Sequence, residues 1–365
     1  MITDYNLQSQ NEEVSTMKCR EKVFGKLDSG EEVRLFHLEN DEGLEIDIIE
    51  YGAIIHRLVV PDRKGERADV VMGQDTLEDY IKKPGFYAAV IGRCANRIAN
   101  AVFSIDGKEY VLEKNNGSNN LHSGSGNYAD KLFRGKLFDS EDKVGVTLYY
   151  KDFGRGGFPG TVDVWVTYTL TSEGCLEIRY KAIPDSDTVI NLTNHAYFNL
   201  SGHDSGSVEN HLLQIEADFY LPNDNMALPT GEVFSVKGTD MDFNSPRPIG
   251  DGFRSAEVQL AQFGGYDHNY CLRGRGYRKV AELYDPVSGR GMEVYTDLPG
   301  MQLYTTNTAM KNSTGKDGAI YQKHGALCLE TQHFPNSVNM SHFPSPIYRA
   351  GETYESVTAF KFFAK

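Results

Sequence analysis

The strongest signals for proton-transfer chemistry are His195, in the stretch Asn191 to Leu200 (NLTNHAYFNL), and Glu330, in Ala326 to Phe334 (ALCLETQHF). Read with the period of two that a strand imposes, the first stretch puts Asn191, Thr193, His195, Tyr197 and Asn199 on one face. Leu192, Asn194, Ala196, Phe198 and Leu200 fall on the other face, which can pack into a core. A solvent-facing strand usually shows Lys, Glu or Thr, whereas a face of Asn, His and Tyr offers directional hydrogen bonds to a polar ligand. The alternative for His195 is a half-buried ring bonded to its neighbours. Glu330 shares its face with Ala326, Cys328 and Gln332. A carboxylate among such neighbours loses hydration, so it is paired with an arginine or histidine, neutral, or poised to take a proton.

Other polar residues stand where local structure alone does not explain them. His122 lies between Leu121 and Ser123 in the Gly/Asn-rich loop NNGSNNLHSG; turn chemistry accounts for the glycines and asparagines but not for the imidazole. No GKS or GKT follows, which makes a phosphate cradle a weak reading. Arg93, Asn96 and Arg97 in GRCANRIAN form either one exposed basic turn or a planar fork of donors aimed at hydroxyl oxygens. Asp267 in GGYDHNYCL either caps a turn or accepts hydrogen bonds from two sugar hydroxyls. Gln302 in DLPGMQLYTTN sits on an expected strand, where an amide facing a cleft can both donate and accept. The basic cluster Arg273, Arg275, Arg278 and Lys279 reads as a solvated hairpin.

Short strands separated by turn signals must position these groups. Strands are expected at Val33 to Leu38, Leu44 to Ile49, Ile54 to Val60, Val144 to Tyr150, Val162 to Thr171, Leu176 to Ile183, Lys279 to Tyr284, Gly291 to Thr296 and Ser356 to Phe363. In Val162 to Thr171, apolar residues on both faces suggest burial on each side. Asp106-Gly107, between Ala101 to Ile105 and Lys108 to Leu112, is the signature of a type I′ hairpin turn. One helical turn or two is expected at Thr76 to Lys83. Residues 1–17 read as a flexible leader, with structure starting near Val23, and residues 18–365 as a single β-sandwich domain.

Composition agrees with an all-β chain. Among its 365 residues are 36 glycines, 21 tyrosines and 19 phenylalanines, which favour turns and strands over long helices. The formal net charge of −14 argues against nucleic acid or an anionic membrane as partner. Five widely spaced cysteines without a CxxC pair suggest neither a disulfide framework nor a zinc site. No HExxH, Walker A, dinucleotide fingerprint or EF-hand pattern occurs, so neither metal nor cofactor is expected. With no basic-then-apolar leader and no long apolar run, the expected setting is the cytoplasm.

Taken in order, the blocks GRCANRIAN, NNGSNNLHSG, GGFPG, NLTNHAYFNLSGH, DFYLPNDNMALPTGE, GYDHNYCL, LPGMQLYTTN, CLETQHFPNSVN and FPSPIYRAGETY resemble the aldose 1-epimerase (galactose mutarotase) family from about Val23 onward. The resemblance implies a large antiparallel β-sandwich, the galactose mutarotase-like supersandwich, and cofactor-free interconversion of the α and β anomers of free aldohexoses such as D-galactose and D-glucose. It implies His195 as general acid and Glu330 as general base, with Asn96, Arg97, His122, Tyr197, Asp267 and Gln302 as sugar contacts. The chain departs from the family pattern at Ser123, Gly156 and Ala196, which bears on sugar preference. The reaction itself requires a proton delivered to the ring oxygen and one removed from the anomeric hydroxyl, hence an acid and a base flanking one carbon.

Three rivals make different demands. A sugar-phosphate epimerase needs cations around the phosphate, and only Arg97, with Arg93 beside it in sequence, is available. A non-catalytic carbohydrate-binding module needs the amides and aromatics but not both His195 and Glu330. A glycosidase needs two carboxyl groups, for which Glu330 and Asp267 qualify, leaving His195 without a role.

Overall fold

The computed structural model describes residues 17–82, 85–307 and 313–365. The leader expected at residues 1–17 lies outside them except for Met17, as does Lys83 at the end of the expected helix. Structure begins earlier than Val23: the strand Lys18–Lys26 pairs antiparallel with Glu32–Glu39, from Lys18 opposite Glu39 to Lys26 opposite Glu32. Its residues are mostly exposed, so the strand lacks the apolar alternation that would reveal it in sequence.

Three larger antiparallel sheets are present among the described residues. The first has five strands in chain order, from Lys18–Lys26 to Arg67–Asp69. The second has nine, ordered Arg134–Asp139, Lys143–Asp152, Val162–Thr171, Cys175–Pro184, Tyr354–Ala364, Arg290–Thr296, Arg278–Tyr284, Leu212–Ile215 and Arg247–Pro248. The C-terminal strand therefore sits mid-sheet, between strands from two distant parts of the chain. The third has five, ordered Phe234–Ser235, Ala217–Tyr220, Asp267–Leu272, Gly300–Tyr304 and Cys328–Gln332. The expected all-β sandwich is thus the observed architecture.

Strand alternation fixes which side of each sheet is apolar. Val162, Val164, Val166 and Tyr168 are buried while Asp163, Trp165 and Thr167 are half-exposed, so this strand is covered on one face, not both. Its inward residues join Phe36, Leu38 and Ile46 of the first sheet and Tyr270, Met301, Leu303 and Leu329 of the third in one core. Burial of this apolar surface is the main stabilising term. In the third sheet it leaves Gln302, Tyr304, Cys328 and Glu330 on the opposite face, away from the nine-stranded sheet.

Two local expectations match the structure and one does not. The hairpin Val102–Ile105 to Lys108–Val111 turns at Asp106 and Gly107, with φ of 50° and 81°, as a type I′ turn requires. The helix Leu77–Lys82 starts after Thr76, whose Oγ1 accepts from the Asp79 amide at 3.1 Å. The Arg273 to Lys279 segment is not a hairpin, because its flanking strands, Asp267–Leu272 and Arg278–Tyr284, belong to different sheets. Arg273 there bonds Glu216 and Asp218, and Lys279 bonds Glu282 and Glu293.

Candidate active site

Strand register on the outer face of the third sheet places the acidic side of the site. Glu330 stands opposite Gln302, and Tyr304 stands opposite both Asp267 and Cys328. Gln302 Nε2 donates to Asp267 Oδ1 at 2.7 Å, and the second Asp267 oxygen lies 3.8 Å from the Arg97 guanidinium. Arg97 Nε donates to Asn116 Oδ1 at 3.1 Å, which holds the fork in place. Asp267 therefore begins a strand and presents its carboxylate to the cavity.

Four segments cover that face, around Phe86, Asn96–Arg97, Leu121–His122 and His195–Tyr197. Asn191 to Leu200 is not the regular strand its alternation suggests. Only Thr193 and Asn194 form a ladder, with Ile91 and Val90, while Asn191 bridges Cys94 and Phe198 bridges Val71 and Leu327. The partners change every few residues, so on the polar face only His195 and Tyr197 reach the cavity, while Leu192, Ala196, Phe198 and Leu200 of the other face pack into the core as expected. Asn191 and Asn199 turn away to bond backbone, at His333 and at Ser201, Gly206 and Gly325.

The loop histidine is held by its backbone neighbours. Asn96, at φ 61°, donates its main-chain N–H to His122 Nδ1 at 3.1 Å, and His122 N donates to Asn96 O at 3.0 Å. A backbone N–H can only donate, so Nδ1 is the acceptor and Nε2 carries the proton. Ser123 Oγ accepts from Cys94 N and donates to Cys94 O, pinning the loop. A Cβ on Gly156, at φ 78°, would come within 2.8 Å of Ser123 O. Neither residue lines the cavity, and Ala196 lies in the core, so all three departures from the family pattern act on packing around the site.

These segments enclose a cavity of about 180 Å³, lined by Phe86, Asn96, Arg97, Leu121, His122, His195, Tyr197, Asp267, Gln302, Tyr304 and Glu330. Every residue singled out as catalytic or sugar-contacting in the sequence is among them. Arg93 is not. Its guanidinium is buried against Asp152 at 2.8 Å and donates to Pro159 O, Gly160 O and Thr188 Oγ1, so the paired basic turn separates into a structural and a cavity arginine. Phe86, Leu121 and Tyr304 line the cavity without having been anticipated. For Tyr304 a signal existed, since it shares Gln302's face at a spacing of two; a lone Phe after Gly85 carried none.

His195 Nε2 lies 3.6 Å from Glu330 Oε1, and its Nδ1 lies 3.5 Å from the Cys328 sulfur. Its ring stacks on Tyr197 at 4.8 Å between centroids, with Phe86 at 5.8 Å. Burial pushes His195 down to about 4 and favours the neutral imidazole. Burial, with the Asp267 charge adding and Arg97 opposing, holds the Glu330 carboxyl well above the usual carboxylate range. His122 is lowered by burial, by His195 and by Arg97. Glu330 Oε2 and Gln302 Oε1 are buried without a hydrogen-bond partner among the described residues. Such atoms are costly unless a bound molecule satisfies them.

The donor atoms of His122, His195 and Glu330 lie within 4.8 Å of one another, a mix that could attract a divalent cation. His122 does not suit that role. It would have to offer a lone pair at Nε2 while Nδ1 accepts the Asn96 N–H. What the cavity offers is one proton-sharing pair, an imidazole N–H, a guanidinium, an amide and a carboxylate around a small volume. Ligand sites for larger molecules run to about 300 to 1,000 Å³.

Known proteins resemble this chain over most of its length. A family profile described as aldose 1-epimerase matches residues 34–361. Galactose mutarotase from Bos taurus is 43% identical over 342 residues, covering 93% of this chain and 97% of that protein. Aldose 1-epimerase from Escherichia coli (strain K12) is 34% identical, covering 92% and 97%. A solved aldose epimerase homologue from C. elegans superposes with a TM-score of 0.82 at 29% identity, covering 90% of this chain and 98% of the other.

Proposed function

The chain belongs to the aldose 1-epimerase family, and from that premise we propose that it interconverts the α and β anomers of free aldohexoses, D-galactose and D-glucose among them. One observation carries this reading: His195 and Glu330 meet at 3.6 Å in a small cavity where, among the described residues, Glu330 and Gln302 each hold a buried polar atom without a partner. An acid and a base at one carbon suffice for mutarotation.

In the forward direction His195 delivers a proton to the ring oxygen while Glu330 takes one from the anomeric hydroxyl. The bond from the anomeric carbon to the ring oxygen breaks and an aldehyde forms. Rotation about the adjacent carbon–carbon bond presents its other face, and closure returns both protons. Each group ends in the state the other needed at the start, so no covalent intermediate is required. Burial favours the neutral form of each group, which puts the shared proton on Glu330 in the empty cavity. Moving it to His195 creates opposite charges 3.6 Å apart, whose attraction offsets part of the cost of lost hydration. Asn96, Arg97, His122, Tyr197, Asp267 and Gln302 orient the sugar; the His122 Nε2–H and the Arg97 fork donate to its oxygens, and Asp267 accepts.

A phosphorylated sugar fits poorly, because Arg97 is the one cation among lining residues that include Asp267 and Glu330. Polarimetry tests the reading. Freshly dissolved α-D-galactose and α-D-glucose should relax faster with the protein than without it, and glucose 6-phosphate should not. Equal rates with and without protein on every free aldohexose would refute it.

A further inference from the structure

Arg97 and Asp267 carry opposite charges into the proton-transfer cavity, yet they do not close on each other. Arg97 Nη2 stays 3.8 Å from Asp267 Oδ2, beyond hydrogen-bond reach, although both side chains are largely shielded from water and attract each other strongly there. Each is held from the far side. Gln302 Nε2 donates to Asp267 Oδ1 at 2.7 Å, and Arg97 Nε donates to Asn116 Oδ1 at 3.1 Å. An arginine grips a carboxylate most tightly with two parallel N–H groups, and one of the edges it can use for this includes Nε. With Nε engaged by Asn116, that edge is not available to Asp267.

The loop that carries Asn116 is built to place it. Asn116 and Asn119 exchange main-chain hydrogen bonds of 3.1 and 3.0 Å across Gly117 and Ser118. Gly117 holds φ at 61°, as the first central residue of a type II′ turn requires. The neighbouring asparagines serve the loop itself: the side chains of Asn115, Asn119 and Asn120 bond main-chain groups of Leu121, Asn100 and Glu113. Turn chemistry explains those three. It does not explain Asn116, whose amide oxygen is spent on the cavity arginine. Asn116 is not among the residues that line the cavity, so it touches Arg97 and not the sugar.

Resting on the mutarotase reading above, we propose that Asn116 is a positioning residue for sugar binding, which keeps the Arg97 guanidinium from collapsing onto Asp267. Held apart, the guanidinium keeps N–H groups and the carboxylate keeps lone pairs for the hydroxyls of the sugar. Without Asn116 the guanidinium swings onto Asp267, and the two charges satisfy each other instead of the substrate. The proton exchange between His195 and Glu330 is unchanged.

Steady-state polarimetry on freshly dissolved α-D-galactose tests this with the full chain, Asn116→Ala, Asn116→Asp, Arg97→Gln and the double variant Asn116→Ala with Arg97→Gln. Asn116→Ala should raise KM by about tenfold, the scale of one hydrogen bond to a charged group. Its kcat should stay within about threefold, because a contact made equally before and during the reaction acts on binding. Asn116→Asp keeps an acceptor oxygen for Nε and should hold KM within about threefold of the parent value. In the Arg97→Gln background there is no guanidinium to hold, so adding Asn116→Ala should change KM by less than about twofold. Asn116→Ser, one bond too short to reach Nε, replaces Asn116→Ala if that variant does not fold. A parental KM in Asn116→Ala would overturn the role. So would a fall in kcat at constant KM, or a full tenfold effect that persists without Arg97. No acceleration of galactose by the parent protein would instead refute the mutarotase reading, and the role of Asn116 with it.

Discussion

Cys328 stands behind His195, its sulfur 3.5 Å from Nδ1. Two residues further along the same strand face, Glu330 approaches the opposite nitrogen at 3.6 Å. The imidazole is thus held at both ends by one strand. Burial, with the charges of Glu330 and Asp267, keeps the Cys328 thiol protonated, so it acts as a weak hydrogen-bonding group and not as a nucleophile. Cys328→Ala should therefore lower kcat by about threefold to tenfold, the worth of one modest hydrogen bond, with KM little changed. Cys328→Ser should restore part of the loss. Steady-state polarimetry on all three proteins checks this; an unchanged kcat in Cys328→Ala would leave the thiol without a positioning role.

The pH dependence follows from which charges face Glu330. The productive state carries one proton on the His195–Glu330 pair. It is lost at low pH when His195, at about 4, takes a second proton, and at high pH when the raised Glu330 carboxyl gives up the shared one. Asp267 raises the Glu330 carboxyl and Arg97 lowers it. Asp267→Asn should accordingly move the alkaline limb of kcat/KM to lower pH, and Arg97→Gln should move it higher. Profiles of kcat/KM report the free protein, so weaker binding in either variant does not obscure the limb. Shifts in the same direction would contradict the assignment of that limb to Glu330.

Arg93 should behave as a structural residue. It is paired with Asp152, which also accepts from Tyr128 Oη at 2.9 Å, and neither charge is more than marginally exposed. Arg93→Ala leaves Asp152 buried without its partner, for an expected loss of about 3 to 5 kcal/mol. Urea unfolding followed by the fluorescence of Trp165, the sole tryptophan, measures it. A loss below about 1 kcal/mol would mean that Asp152 finds other compensation.

Much of this site was legible before any coordinates. Period-two reading placed Glu330 and Cys328 on one face because Cys328–Gln332 is a regular strand paired with Gly300–Tyr304. The same rule misplaced Asn191 and Asn199, because bridges to three different segments replace a ladder there and each side chain answers to its own neighbours. Arg93 and Arg97 could not be told apart in sequence. What separates them is Asp152, brought in by a strand 59 residues away. Phe86 was invisible for a similar reason: its position depends on a left-handed backbone locked to His195. The fold was easier, since alternating apolar residues mark most strands; Lys18–Lys26 and Arg134–Asp139, with exposed or half-exposed faces, gave no such pattern.

The most direct test of the central claim is the rate at which freshly dissolved α-D-galactose reaches equilibrium with His195→Gln and with Glu330→Gln, each confirmed as folded by circular dichroism. Each substitution keeps a polar side chain in the cavity but removes one proton carrier. The expected result is a loss of turnover of about 10² to 10⁴-fold in either variant, with little further loss when the two are combined. Parental turnover in both variants would contradict proton exchange between His195, Glu330 and the sugar.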